Sequence, residues 1–204
     1  MATENTTSET LRRYPLKGSC HCGTIKYILH LKLPHKAHLD PRPRQRIYRC
    51  NCNICHKAGF LHARPDSAPD DFLLLSPLDP MKELGDYQCD AKQLHFFFCK
   101  TCGVRCFTFM GQGEVVDADL DALGVGEETV KAWRPNLKGW TEGKRDHGCY
   151  LSVNAHTLEP NQPGFDLREW VEKKWVCYVD YLKAGTDEEM SFPRYERPFE
   201  GGTY

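Results

Sequence analysis

No stretch of this 204-residue sequence approaches the roughly 18 consecutive apolar residues of a membrane-spanning helix. Its longest apolar runs, in DFLLLSPL and LHFFFC, are strand-sized. The opening MATENTTSETLRRYPLKG lacks the apolar core of an export signal. Surplus charge is missing too: 27 Lys and Arg face 28 Asp and Glu, a net charge of −1. Such a chain has no large field to steer nucleic acid, so a nucleic-acid partner is not expected. Repeats of solenoid length are absent. Eleven cysteines among 204 residues are odd in number and fall well below the roughly 8–10% that marks a disulfide scaffold. These absences point away from membranes and towards a reducing, cytoplasmic setting, where clustered cysteines hold metals or do chemistry instead of forming disulfides.

With those classes set aside, the length and a 40% share of hydrophobic residues fit one domain. It is placed over 15–184, between a polar, Thr-rich tail over 1–14 and a Glu-, Pro- and Gly-rich tail over 185–204 that is expected to pack poorly. GTIKYILHL alternates Ile25, Tyr27, Leu29 and Leu31 with Lys26 and His30, the period of a half-buried strand. GFLHARP, DDFLLLSP and KELGDYQ are further short strand candidates, and KQLHFFFCKTCGVRCFTFM predicts two strands joined at a tight turn. KLPHKAHLDPRPRQR reads as a loop with a solvated basic face. From Gly111 to Gly148 the pattern degrades, and the segment reads as a surface insertion with a short helix in GEETVKAW. GCYLSVNAHTLE returns to strand character. Asp166 and Glu169 then start a helix whose face carries Leu167, Trp170 and Val171, with a strand from Trp175. The expected class is mainly β, with short helices in the C-terminal third.

Seven of the cysteines fall into three clusters: Cys20 and Cys22 in SCHCG, Cys50, Cys52 and Cys55 in CNCNIC, and Cys99 and Cys102 in CKTCG. Ligands two or three residues apart on a turn can converge on one metal, with Zn–S distances of about 2.3 Å. One CxxC is weak evidence, whereas three clusters together are strong evidence for metal. Seven thiolates divide into a closed site of four and an open site of three. The natural division pairs Cys20 and Cys22 with Cys99 and Cys102 in a structural zinc that staples two hairpins. It leaves Cys50, Cys52 and Cys55 for a catalytic zinc with a free position. Three thiolates and Zn²⁺ sum to about −1, so this zinc is a weaker Lewis acid than one held by three imidazoles; its natural guest is a soft thiolate, held and aimed at an electrophilic carbon. Two alternatives stay open. The second site can be structural, with a fourth ligand from His21, His56, His62 or Cys106, or CKTCG and CNIC can be redox pairs.

The motifs GSCHCGTIKY, CNCNICHKAG and FFFCKTCGVRCF, in that order, resemble the glutathione-dependent formaldehyde-activating enzyme family, whose domain is shared with centromere protein V. The resemblance covers about residues 17 to 110, and YLSVNAHTLE through DLREW is similar to the family's closing strand. It implies a β-tent fold, two zinc ions, and carbon–sulfur lyase chemistry in which glutathione and formaldehyde interconvert with S-hydroxymethylglutathione. It also implies that Cys20, Cys22, Cys99 and Cys102 hold the structural zinc, and that Cys50, Cys52 and Cys55 hold the catalytic one. The partner would be a small-molecule thiol adduct, with glutathione as co-substrate. Two other functions are weighed beside it: the same chemistry on a larger electrophile, motivated by the segment 111–148, and a non-catalytic zinc-stabilised binding module. Nothing in the sequence sets the oligomeric state.

The remaining residues take plainer readings. Cys89, Cys106, Cys149 and Cys177 are expected as core thiols, and Phe96, Phe97, Phe98, Phe107 and Phe109 as core aromatics. Gly103 is expected to take a left-handed backbone at the knuckle. Trp133 and Trp140 are read as local hydrophobic anchors, and Lys17, Arg49, Lys57 and Arg105 as surface charges near the zinc motifs.

Overall fold

A computed structural model describes residues 10–35, 44–89, 91–138, 149–182 and 192–204. The first half of the chain runs β1 (Arg12–Ser19), β2 (Lys26–Leu33), β3 (Arg46–Cys50), α1 (Asn53–Lys57), β4 (Leu61–Arg64), α2 (Ala68–Asp71), β5 (Phe72–Ser76) and α3 (Pro80–Glu83). It continues with β6 (Gly85–Tyr87), β7 (His95–Phe98), β8 (Arg105–Met110), β9 (Gln112–Asp119) and β10 (Thr129–Asn136). Last come β11 (Tyr150–Asn154), a 3₁₀ turn (Ala155–Thr157), α4 (Leu167–Glu172) and β12 (Val176–Val179). As expected, the protein is mainly β, a single domain with few and short helices. Three of those helices lie in the first half of the chain, not in the C-terminal third.

The strands form two sheets, one of five in the order β1-β2-β5-β10-β9 and one of seven in the order β12-β3-β4-β11-β8-β7-β6. Within each strand, alternation sends one set of side chains into the space between the sheets. Leu16, Tyr27, Leu29, Leu31, Phe72 and Leu74 from the five-stranded sheet share one buried cluster with Ile47, Ala63, Phe97, Phe107, Leu151 and Val153 from the other. Tyr27, Phe72, Phe107 and Phe97 make a chain of aromatic contacts, 5.7, 5.3 and 5.2 Å between ring centres, that runs from sheet to sheet. Full burial of one such side chain stabilises the fold by about 1.5–3 kcal/mol.

Several expectations are corrected. GEETVKAW is not helical: its second half is β10, paired along its whole length with β9. The β9–β10 hairpin forms one edge of the five-stranded sheet, joined to β5 at Trp133 and Leu74. Trp133 is buried and meets Phe109 edge-on at 5.2 Å, so this part of the supposed insertion belongs to the core. Residues 139–148, with Trp140, lie outside the described residues. Strand β1 begins at Arg12, inside the stretch assigned to the N-terminal tail, and pairs with β2 along its full length. The β2 strand is buried on both faces, His30 and Ile28 included, because α2 packs beside it and Arg13 bonds Asp71 at 3.0 Å. Asp166 caps α4 by accepting from the Arg168 amide at 2.8 Å, as expected. Val171 does not share the buried face of α4: it is exposed, and Trp170 alone is buried. The expected loose C-terminal tail is docked over 192–204, where Tyr178 and Arg194 exchange backbone hydrogen bonds of 2.7 and 3.1 Å.

Candidate metal centres

The β1–β2 turn carries Cys20 and Cys22, and the β7–β8 turn carries Cys99 and Cys102. A glycine follows each pair, Gly23 at φ +76 and Gly103 at φ +75, the left-handed conformation that lets a short turn fold both sulfurs to one side. The four sulfurs lie within 4.8 Å of one another. Cys20 and Cys22 Sγ are 3.6 Å apart, and Cys22 and Cys99 Sγ are 3.5 Å apart. A tetrahedral zinc with Zn–S bonds of about 2.3 Å sets its sulfurs about 3.8 Å apart, so the donor set fits. The Ile25 amide donates to Cys20 Sγ at 3.2 Å. Burial pushes the Cys20 thiol up to about 11, while the Thr24 hydroxyl beside Cys22 holds that thiol down at about 6.

The second group lies at the end of β3 and the start of α1. Cys50, Cys52 and Cys55 place their sulfurs within 4.8 Å of one another, and the Cys52 amide donates to Cys50 Sγ at 3.3 Å. Cys50 and Cys55 are buried and Cys52 is half-buried, so the group opens on the Cys52 side. Contact with its neighbours holds Cys52 far below the usual thiol range and pushes Cys50 and Cys55 up. Three thiols at this spacing resist carrying three charges unless a cation sits among them. Both groups could therefore hold a metal ion, and none of the eleven cysteines, all of them among the described residues, is disulfide-bonded.

Around the three thiols the fold collects a small apolar cluster of Tyr48, Phe60, Phe96, Cys177 and Val179, flanked by Ile54, Cys89 and Tyr195. Phe96 is buried in this second cluster and Phe97, Phe107 and Phe109 in the main core, as expected, whereas Phe98 is half-buried and belongs to neither cluster. His62, on β4, reaches the group: its Nε2 is 3.1 Å from Cys55 Sγ and its Nδ1 is 3.0 Å from Ser152 Oγ on β11. Burial holds the imidazole down at about 3, so it is neutral. The ring stacks on Tyr48 at 4.4 Å and 2°, and Tyr48 in turn bonds the Tyr150 hydroxyl at 2.5 Å. Burial pushes both phenols up, Tyr150 to about 12. Arg64 lies 5.2 Å over the Tyr150 ring and also lines a cavity of about 120 Å³ with Arg44, Asp66, Leu137 and Leu151.

The other proposed fourth ligands are not brought to this group. His21 and His56 are exposed. Cys106 is fully buried in the main core, where it feels the thiols of Cys20, Cys99 and Cys102. Arg49 lies next to Cys50 but meets His156 at 3.3 Å, and Arg105 lies over the Tyr87 ring. Lys17 and Lys57 are exposed. Asn51, between two of the thiols, ties the loop to the C-terminal segment: its amide donates to Asp180 at 2.8 Å and to the Glu200 carbonyl at 3.0 Å, and it accepts from the Tyr181 amide at 2.7 Å. Among the described residues, no helix is long and apolar enough to cross a membrane.

The fold and the two groups define a mainly β domain with two cysteine sites able to hold metal ions. No family model matches the chain, and no curated protein matches it. A crystal structure of a Rhodobacter sphaeroides protein from a structural genomics programme aligns with it at a TM-score of 0.40 and 19% identity, over 72% of this chain and 92% of that one.

Proposed function

We propose that both cysteine groups hold zinc and that the three-thiol group makes the chain a carbon–sulfur lyase acting on a small-molecule thiol adduct. The observation that carries this reading is the difference in donor count. One group has four cysteine donors and a closed shell, and the other has three, with no fourth His, Cys, Asp or Glu in it among the described residues. The zinc there would supply a Lewis-acid position at which an incoming thiol is held as a thiolate. The sequence resemblance to the glutathione-dependent formaldehyde-activating family agrees with this and suggests glutathione as the thiol.

The residues around the group have definable tasks. Cys50 is fixed by β3 and Cys55 by α1, so the donors are set before any ligand arrives. Phe60, Phe96 and Val179 wall the thiols off from water on the buried side. Half-exposed Cys52 marks the side from which a substrate enters. The reaction forms a carbon–sulfur bond as the thiolate adds to a carbonyl carbon, whose oxygen takes up a proton; the reverse expels the thiolate.

The test is the rate at which formaldehyde plus glutathione interconverts with S-hydroxymethylglutathione, read by NMR exchange for zinc-loaded wild type and for Cys55→Ser. Acceleration by wild type that disappears in a folded Cys55→Ser protein is the expected result. Without acceleration, formaldehyde is withdrawn as substrate, and a panel of larger thiol adducts decides between a lyase of other specificity and a binding module.

A further inference from the structure

Histidine 62 touches one of the three thiols without belonging to the group they form. Its Nε2 lies 3.1 Å from Cys55 Sγ, yet the ring falls outside the set of donors that lie within 4.8 Å of one another. It is also gripped on every side. Tyr48 stacks on one face and Phe60 leans on the ring at 4.4 Å and 41°. Its other nitrogen meets the Ser152 hydroxyl at 3.0 Å, and Ser152 is fully buried. Two strands far apart in the chain, β4 and β11, thus supply an imidazole that meets one sulfur and a hydroxyl that meets the imidazole.

We propose that His62 is the positioning residue of the three-thiol centre, donating its Nε2 proton to Cys55 Sγ, and that Ser152 fixes this tautomer by donating its hydroxyl proton to Nδ1. The inference rests on the reading that the centre holds zinc. A metal-held thiolate can only accept a hydrogen bond, so the nitrogen that faces it must carry the proton. A neutral imidazole has one N–H, which leaves Nδ1 as an acceptor that the Ser152 hydroxyl satisfies.

The hydrogen bond has two effects. It holds Cys55 in one orientation, and it draws electron density from that sulfur. A centre of three thiolates and one divalent cation carries about one surplus negative charge, which works against a fourth, anionic thiolate guest. An N–H directed at Cys55 offsets part of that surplus on a resident ligand and leaves the guest position untouched. Among the described residues, the four-thiol group has no imidazole contact of this kind; Cys20 accepts from the Ile25 backbone amide instead.

The experiment is nitrogen-15 NMR of the histidine rings in the zinc-loaded full chain, with zinc counted per chain and zinc affinity measured by competition with a chromophoric chelator. His62→Leu identifies the ring signals. The expected spectrum shows Nε2 protonated and Nδ1 bare but hydrogen-bonded, and in Ser152→Ala the Nδ1 signal moves as that bond is lost. His62→Leu should weaken zinc binding at one of the two sites by about 10–100-fold, with partial recovery in His62→Gln, whose amide can still donate. Two zinc ions per chain with a proton on Nδ1, or with Nε2 bound to zinc, overturns the assignment but keeps the metal reading. Zinc at the four-thiol group alone overturns both.

Discussion

The two cysteine groups use the same ligand and differ in how the chain assembles them. The four-thiol group joins a turn of the five-stranded sheet to a turn of the seven-stranded sheet, and Cys22 meets Cys99 across 77 residues of sequence. The three-thiol group is complete within Cys50–Cys55, on one strand end and one short helix of a single sheet. A cross-link that closes a long loop removes much of the freedom of the unfolded chain, whereas one that closes a few residues removes little. The first group is therefore expected to hold the fold together. The second is held by the sheet beneath it, which under the proposed function leaves it free for chemistry.

Cys99→Ser should break this contrast most visibly. It is expected to cost about 4 kcal/mol or more, enough to abolish the cooperative near-UV circular dichroism melt at ordinary temperatures. Cys55→Ser should keep that melt. Equal damage from both substitutions would mean that the three-thiol group is a structural site too. A milder test is graded chelation of wild type. If both groups hold zinc as proposed, the open one should give it up before the closed one, leaving one zinc per chain and an unchanged far-UV spectrum. Release of both ions in a single step would erase the distinction.

The smallest expected effect separates acid loss of metal from the fold's own response to pH. His30 is buried in the five-stranded sheet, and burial, helped by Arg13, holds its imidazole down from 6.5 to about 4. The unfolded chain then binds the extra proton more readily than the folded one. No penalty applies above pH 6.5, and stability falls as the pH drops from there towards 4. In urea unfolding across that window, His30→Gln should show a shallower slope than wild type at constant zinc content. An unchanged slope would move the pH response to the centres themselves.

The strands that announce themselves in the sequence are short apolar alternations, such as β2, or short apolar runs, such as β5 and β7, with punctuation at both ends. The β9–β10 hairpin does not read this way. Its outer strand is an edge, exposed at most positions, and Val130 and Trp133 happen to sit three apart, so that a helix fits the local spacing. Pairing with β5 and burial of Trp133 against Phe109 override that local pattern. Val171 fails for a related reason, since a six-residue helix that anchors through Trp170 and its edge-on contact with Phe165 needs no wider apolar face.

What the sequence determined by itself is the chemistry within each cysteine cluster. Thiols two or three residues apart on a tight turn or at a strand-to-helix junction converge whatever surrounds them, so their spacing alone predicts donor sets of two, two and three. Only the tertiary structure decided what stands around those donors. His62, Ser152, Tyr48 and Phe96 come from four strands of one sheet, on β4, β11, β3 and β7. No local spacing links such residues: strand order and register set which of them are neighbours, and burial against the cluster holds them at the three thiols.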